Sequence, residues 1–147
     1  METLKICKVR DDAKIPVRAT DGSAGLDLCA CIDEPLTLQG GETALIPTGL
    51  AIQLPSANYA AFVFARSGLA IKHGIGLTNS VGVIDSDYRG EIKVGVINQI
   101  AESYTISPGE RIAQLVVMPV SMMPVEECDK LDDTARGAGG FGSTGKK

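Results

Sequence analysis

The sequence predicts an all-β domain, and three observations carry that prediction. Val and Ile together outnumber Leu by 24 to 12, and stiff β-branched side chains fit a pleated surface better than a helix. Turn signals recur about every 8–12 residues, the cadence of a sandwich, jelly roll or barrel. No strand–helix–strand alternation of about 30 residues appears, which argues against a doubly wound nucleotide fold. With 147 residues, 44% of them apolar, the chain suits one domain with a core of its own.

The elements follow in order. Leu4, Ile6 and Val9 mark a first short alternating stretch, which Pro16 ends. Residues 26–32 form a second, closed by Asp33-Glu34-Pro35. Gly40-Gly41 marks a turn between segments 36–38 and 43–47, since glycine reaches turn conformations at no steric cost. Residues 50–54 alternate up to Pro55, and residues 59–65 follow. The best helix candidate is 67–72, too short to be stable without packing around it. Segments 81–84 and 91–97 flank Asp85-Ser86-Asp87-Tyr88-Arg89-Gly90, which has the composition of a hairpin turn. In the second arm Ile92, Val94 and Val96 alternate with Glu91, Lys93 and Gly95, a period of two. Segments 105–107, 111–118 and 121–125 complete the strands. Five of the 17 glycines then fall between Arg136 and Gly145. The expected division is a β domain over residues 1–131 and a flexible Gly-rich tail over 132–147.

Charge and cysteine usage narrow the function classes. Lys plus Arg number 14 against 18 Asp plus Glu, a formal charge of −4. That balance opposes stable nucleic-acid binding, which needs a cationic face, yet leaves room for a local basic pocket. No apolar run approaches the roughly 20 residues of a membrane span. Residues 1–12 lack the pattern of a secretory signal, so a cytoplasmic location is expected, or a nuclear one if the source is eukaryotic. Cys29 and Cys31 share one strand face and, with His73 as the single histidine, make a poor zinc site. The four cysteines therefore read as reduced thiols, and His73 as structural or exposed.

Five segments hold residues able to do chemistry. Gly140-Phe141-Gly142-Ser143-Thr144-Gly145-Lys146-Lys147 nearly spells a phosphate loop. It lacks the final hydroxyl residue, and the following helix is missing. Glycine-freed N–H groups with Ser143 and Thr144 still suit an anion. Arg136 adds a fixed charge, and Phe141 a flat face on which a base can stack; a frayed terminus is the plain alternative. Arg66-Ser67-Gly68 is a second anion-binding arrangement, or an ordinary ion pair beside a serine turn. Asp85 and Asp87 offer a general base for water, or simple turn chemistry. Asp27 lies in an apolar stretch and needs a partner, whether waters around magnesium or a backbone turn. Glu110 and Arg111 read as salt-bridge support for the fold, ahead of Gln114.

In series these segments become far more specific. Ala24-Gly25-Leu26-Asp27-Leu28, Arg66-Ser67-Gly68, the run Asn79 to Gly90, Gly109-Glu110-Arg111-Ile112-Ala113-Gln114 and the run Arg136 to Gly145 resemble the five motifs of the trimeric dUTPases. The resemblance covers nearly the whole chain. It implies a jelly-roll-like distorted β-barrel, a homotrimer with sites shared between subunits, and magnesium-assisted hydrolysis of dUTP to dUMP and pyrophosphate. It also implies roles. Asp85 is the catalytic residue that activates water and touches the sugar hydroxyl. Tyr88 is the ring under deoxyribose. Asn79, Gly82 and the backbone of Val83, Ile84 and Lys93 belong to the hairpin that reads uracil. Arg66, Ser67, Gly68 and catalytic Gln114 resemble phosphate contacts, and Asp27 reaches Mg2+ through water. Arg136, Phe141, Gly142, Ser143 and Thr144 resemble a closing tail, with Arg136 towards the γ-phosphate and Phe141 over uracil.

The sequence departs from the family pattern in two places. Ala65 stands where members often carry proline, which bears on how firmly Arg66 is presented. Glu110 replaces the commoner aspartate and keeps its charge. Two competing readings remain at this point: a dCTP deaminase of related fold, and a non-catalytic nucleotide sensor.

Overall fold

The structure is a computed structural model that describes residues 2–141. Among the described residues eleven strands and one helix follow each other. They are β1 Lys5–Lys8, β2 Leu26–Cys29, β3 Leu36–Leu38, β4 Thr43–Pro47, β5 Leu50–Gln53, β6 Tyr59–Ala65, α1 Ser67–His73, β7 Ile75–Leu77, β8 Gly82–Ile84, β9 Lys93–Asn98, β10 Tyr104–Ile106 and β11 Arg111–Pro119. This is the all-β fold the sequence predicts, with the helix where it was expected. Strand β7 goes unrecognised in the sequence because its three residues, Ile-Gly-Leu, carry no period.

The strands pair antiparallel in four small sheets, ordered β1-β5, β10-β3, β2-β11-β6-β8 and β4-β9-β7. Most partners are distant in sequence. Strand β11 lies between β2 and β6, setting Gln114 opposite Asp27 on one side and Phe64 on the other. Short backbone links then tie one sheet to the next, such as Cys31 N–H to Pro47 O (2.8 Å) and Ile92 N–H to Leu50 O (2.7 Å).

Between the sheets sits one aliphatic core that includes Leu28, Ile46, Leu50, Val94, Val96, Ile106, Ile112 and Leu115. Strand β9 shows how the period of two builds it. Val94, Val96 and Asn98 point inward, whereas Lys93 faces solvent. Asn98 is the polar exception and is fully used. Its Nδ2 donates to Leu38 O (3.0 Å) and Glu102 O (2.8 Å), and its Oδ1 accepts from Ile100 N–H (3.1 Å). The side chain thus fastens the turn after β9 to strand β3.

Two expectations need correction. The arms around Asp85 to Gly90 do not pair with each other. Strand β8 pairs with β6 and β9 pairs with β4 and β7, so the loop crosses between two sheets. The Gly40-Gly41 turn forms where it was expected, between β3 and β4, and it too joins different sheets, since β3 pairs with β10 and β4 with β9. Turn composition is the same for both geometries, and the choice of partner is a tertiary matter. Finally, segment 121–125 is not a strand. Val120 N–H reaches Asn58 O (2.8 Å), beyond the end of β6 there is no further strand to pair with, and residues 121–138 are all exposed.

Asn98→Ala would leave the Leu38 and Glu102 carbonyls and the Ile100 N–H without their partner in a buried place. Urea unfolding should show a loss of about 2–3 kcal/mol, against a change within about 0.5 kcal/mol for an exposed substitution such as Thr134→Ala.

Candidate functional site

The site residues predicted before the tail fall into two separate clefts. The first encloses about 230 Å³ and is lined by Val63, Leu77, Asn79, Gly82, Val83, Ile84, Asp85, Tyr88 and residues 91–95, including Lys93. Its walls come from the two sheets joined by the 85–90 loop. Several contacts shape that loop. Arg89 Nη1 donates to Ser86 O (2.8 Å) and Tyr88 O (2.9 Å), while Tyr88 N–H donates to Asp85 O (3.2 Å). The Tyr88 ring folds over Gly90, and its hydroxyl donates to Glu91 O (3.0 Å). A Cβ at position 90 would collide with that hydroxyl, so glycine is what lets the ring lie there. Asp85 is exposed at the rim, and among the described residues its carboxylate takes part in no hydrogen bond.

The second cleft, about 320 Å³, is lined by Ala19, Ser23, Ala24, Gly25, Asp27, Arg66, Ser67, Gly68, Arg111 and Gln114. Asp27 sits between two guanidinium groups. Arg66 Nε meets its Oδ1 at 3.0 Å, and Arg111 Nη1 meets its Oδ2 at 3.0 Å. Arg66 Nη1 also donates to Arg111 O (3.1 Å). Of the five N–H donors on a guanidinium, these contacts leave Arg66 with others for an anion. Gln114 Nε2 donates to Ala65 O (3.0 Å), so the side chain braces the strand end that presents Arg66. A Cβ at Gly25 would come within 2.7 Å of Gln114 Oε1; glycine there makes room for the brace.

Two sequence expectations look different in this setting. Asp27 is ion-paired by two arginines rather than free to gather waters alone. Its one carboxylate, largely neutralised, cannot form an all-protein cage, and among the described residues no group of three acidic, histidine or cysteine side chains could hold a metal. The donor set does fit an ion carried mostly by water and ligand oxygens, the usual habit of magnesium. Arg111 supports the fold through a salt bridge, as expected, and also touches this cleft. Glu110 instead makes hydrogen bonds, accepting from the Tyr104 hydroxyl (2.5 Å) and from Ser107 N–H (2.9 Å). Partial burial and that carboxylate together push the Tyr104 hydroxyl up to about 12. The Tyr104 ring also packs against His73 at 4.8 Å between centroids, a structural place for the single histidine.

The tail residues stand apart. Arg136 Nε donates to Gly139 O (2.7 Å) within its own turn, and Phe141 is fully exposed with φ 51°. Neither lines a cleft. Gly142, Ser143 and Thr144 lie outside the described residues.

A family model for dUTPase matches residues 11–145. The chain belongs to the dUTPase family. A protein of Desulfitobacterium hafniense named deoxyuridine 5'-triphosphate nucleotidohydrolase is 57% identical over 144 residues, 97% of this chain and 95% of its own. One of the same name from Neisseria meningitidis serogroup B is 53% identical over 142 residues, 97% of this chain and 95% of its own. Among solved structures, the dUTPase of Staphylococcus bacteriophage 80alpha with dUpNHpp superimposes with a TM-score of 0.87 at 28% identity. It covers 97% of this chain and 98% of its own. A variant of the phage phi11 dUTPase, whose structure describes coordination of a structural Mg(II) ion, gives 0.78 at 25% identity, covering 87% and 97%.

Some contributors to the clefts escape sequence reasoning. Arg10 pairs with Glu91, Nε to Oε1 at 2.6 Å, across a separation of 81 residues, for which no local signal exists. Arg18 Nη1 donates to Ser23 O (2.5 Å) and Ala24 O (2.7 Å), fixing the loop beside Gly25. The hydrogen bond from Arg10, helped by one from Gly49 N–H and opposed by partial burial, holds the Glu91 carboxyl below its ordinary 4.5. A folded value below the unfolded one means the stabilisation is fully present above pH 4.5 and disappears as pH falls through the lower folded value. Melting temperature followed downward from pH 6 should therefore fall more steeply for the parent protein than for Arg10→Gln.

Proposed function

We propose that this protein hydrolyses dUTP to dUMP and pyrophosphate, with the sugar and base in the first cleft and the phosphates in the second. The observation that carries the reading is the gathering of Asp85, Tyr88 and the β8–β9 backbone around one cleft in a chain of the dUTPase family. The relatives' common name as nucleotidohydrolases supports hydrolysis, and the deaminase and sensor readings find no support. The 80alpha neighbour, solved with dUpNHpp, agrees with a deoxyuridine nucleotide as the ligand class.

In the proposed reaction a water attacks the α-phosphorus, the bond from that phosphorus to the bridging oxygen breaks, and pyrophosphate leaves. Asp85 takes the proton from the water, as a general base must be placed to do. Its freedom from other hydrogen bonds suits that task. Tyr88 presents its ring to deoxyribose. Asn79, Gly82, Val83, Ile84 and Lys93 bound the uracil space, where a close backbone excludes the methyl group of thymine by shape. Hydrogen-bond polarity excludes cytosine, the stronger kind of rejection. Arg66, Ser67, Gly68 and Gln114 receive the phosphates in an otherwise acidic protein. Asp27 would hold Mg2+ through water; when bound, the ion supplies charge stabilisation for the phosphate oxygens.

Assembly belongs to the same proposal. The two clefts share no lining residue within one subunit, which supports a site completed by other copies in a homotrimer. Met122, Met123 and Val125, exposed at 65%, 79% and 99%, form an apolar arm that a neighbouring copy would cover. Residues 132–147 then serve as the closing tail on a domain of residues 1–131, Arg136 reaching the γ-phosphate and Phe141 the base, with Gly142, Ser143 and Thr144 completing it. Among the described residues no helix is long and apolar enough to cross a membrane, and the four free cysteines agree with a cytoplasmic setting.

The assay follows pyrophosphate from dUTP and ammonia from dCTP in parallel. Asp85→Asn should keep dUTP binding while turnover falls at least about 100-fold; ammonia from dCTP without pyrophosphate from dUTP would refute the proposal. A chain ending at Ala135 should keep the parent's number of subunits in light scattering, with kcat/KM for dUTP lower by at least about 100-fold. Full activity without the tail would remove its role as a lid.

A further inference from the structure

We infer that Arg10 and Glu91 form a positioning pair that fixes the Tyr88 ring and thereby sets how strongly the sugar site rejects a ribose 2′-hydroxyl. The inference rests on the reading that Tyr88 packs under deoxyribose.

The contacts run in one line from the N-terminal segment to the cleft. Val9 N–H donates to Gly49 O (2.8 Å), which lays residues 9–10 against the turn between β4 and β5. Gly49 has φ +69° there, and a Cβ would come within 3.1 Å of Arg10 Cβ and 2.6 Å of Ala13 Cβ. That close approach brings the Arg10 guanidinium to Glu91, Nε to Oε1 at 2.6 Å and Nη2 to Oε2 at 3.4 Å. Gly49 N–H donates to the same Oε1 at 3.0 Å. The Glu91 side chain is only 15% exposed, so it is held on both sides rather than waving in solvent. Its own backbone oxygen is the acceptor for the Tyr88 hydroxyl at 3.0 Å. One residue on, Ile92 is pinned by its N–H to Leu50 O (2.7 Å) and by Thr48 Oγ1 donating to its carbonyl (2.7 Å).

A pair this open to solvent on the arginine side, 47% exposed, contributes little to stability. What it controls is geometry. Rejection of an added hydroxyl by shape depends on the ring keeping its position to within about 0.5 Å. Without Arg10, the nearest cation to Glu91 is Lys93 at 3.9 Å. Glu91 would then lose its tie to the N-terminal segment, and the peptide that carries the Tyr88 acceptor would keep only the Ile92 N–H bond to Leu50 O and the Gly49 N–H bond to the Glu91 carboxylate.

The test measures kcat/KM for dUTP and UTP on the full chain, with melting temperature recorded for each variant. Arg10→Gln should lower the dUTP-to-UTP selectivity about five-fold or more, mainly through faster UTP turnover, with a melting temperature only slightly lower at neutral pH, where this exposed pair's small contribution is present. Glu91→Gln should act in the same direction, and the double variant should add nothing further, as expected for two residues acting through one contact. Tyr88→Ala is the control for the underlying reading. Selectivity that collapses in Tyr88→Ala yet stays within about two-fold of the parent in both Arg10→Gln and Glu91→Gln would overturn the inference alone. Selectivity unchanged even in Tyr88→Ala would overturn the sugar-site reading, and the inference with it.

Discussion

Strand β11 running between β2 and β6 is the constraint on which the rest of the structure depends. A chain with a single short helix has to close its core by pairing residues far apart, and here the last strand completes the sheet begun by the second. That placement sets Gln114 opposite Asp27 in register and brings Arg111 to the same carboxylate that Arg66 reaches from the end of β6. Three segments that are strangers in sequence become one charged cleft wall. Entropy lost in closing such long loops is offset by the aliphatic core, whose largest members are all essentially inaccessible to water.

Much of this was legible in the residues. Alternation and turn chemistry located nearly every strand, because those signals are local and the side chains that face the core repeat every second position. The helix was legible too, ended by Gly74 at φ +65°. What the sequence could not reveal was partnership. Asp85-Ser86-Asp87-Tyr88-Arg89-Gly90 looks like a hairpin turn, yet its two arms join different sheets, and only the positions of β6 and β4 decide that. Residues 121–125 have strand-like composition and no strand beside them within the subunit. Residues of four of the five motifs line the two clefts, although nothing within one motif foretold that they would divide between two clefts.

Electrostatics explains why a protein of net charge −4 can face a polyanion. Arg66 and Arg111 do not stand free; Asp27 holds both at 3.0 Å. A fixed carboxylate orients the guanidinium groups and prevents them from folding outward into water, at the expense of some of their charge. Preorganised donors of this sort work better on a developing charge than mobile ones, because no reorganisation is needed when the charge appears. The acidic surface elsewhere keeps the attraction local.

Gly49 links more of the molecule than its size implies. Its missing side chain leaves a space shared by Arg10, Ala13 and Cys31, each within 3.1 Å of where a Cβ would be, while its N–H holds the Glu91 carboxylate in the wall of the first cleft. Ala13 is 2% exposed, so volume added there presses on this turn, whereas the Arg10 side chain opens to solvent. One turn without a side chain therefore joins the start of the chain to the wall of the first cleft, although residues 10, 13 and 31 line neither cleft.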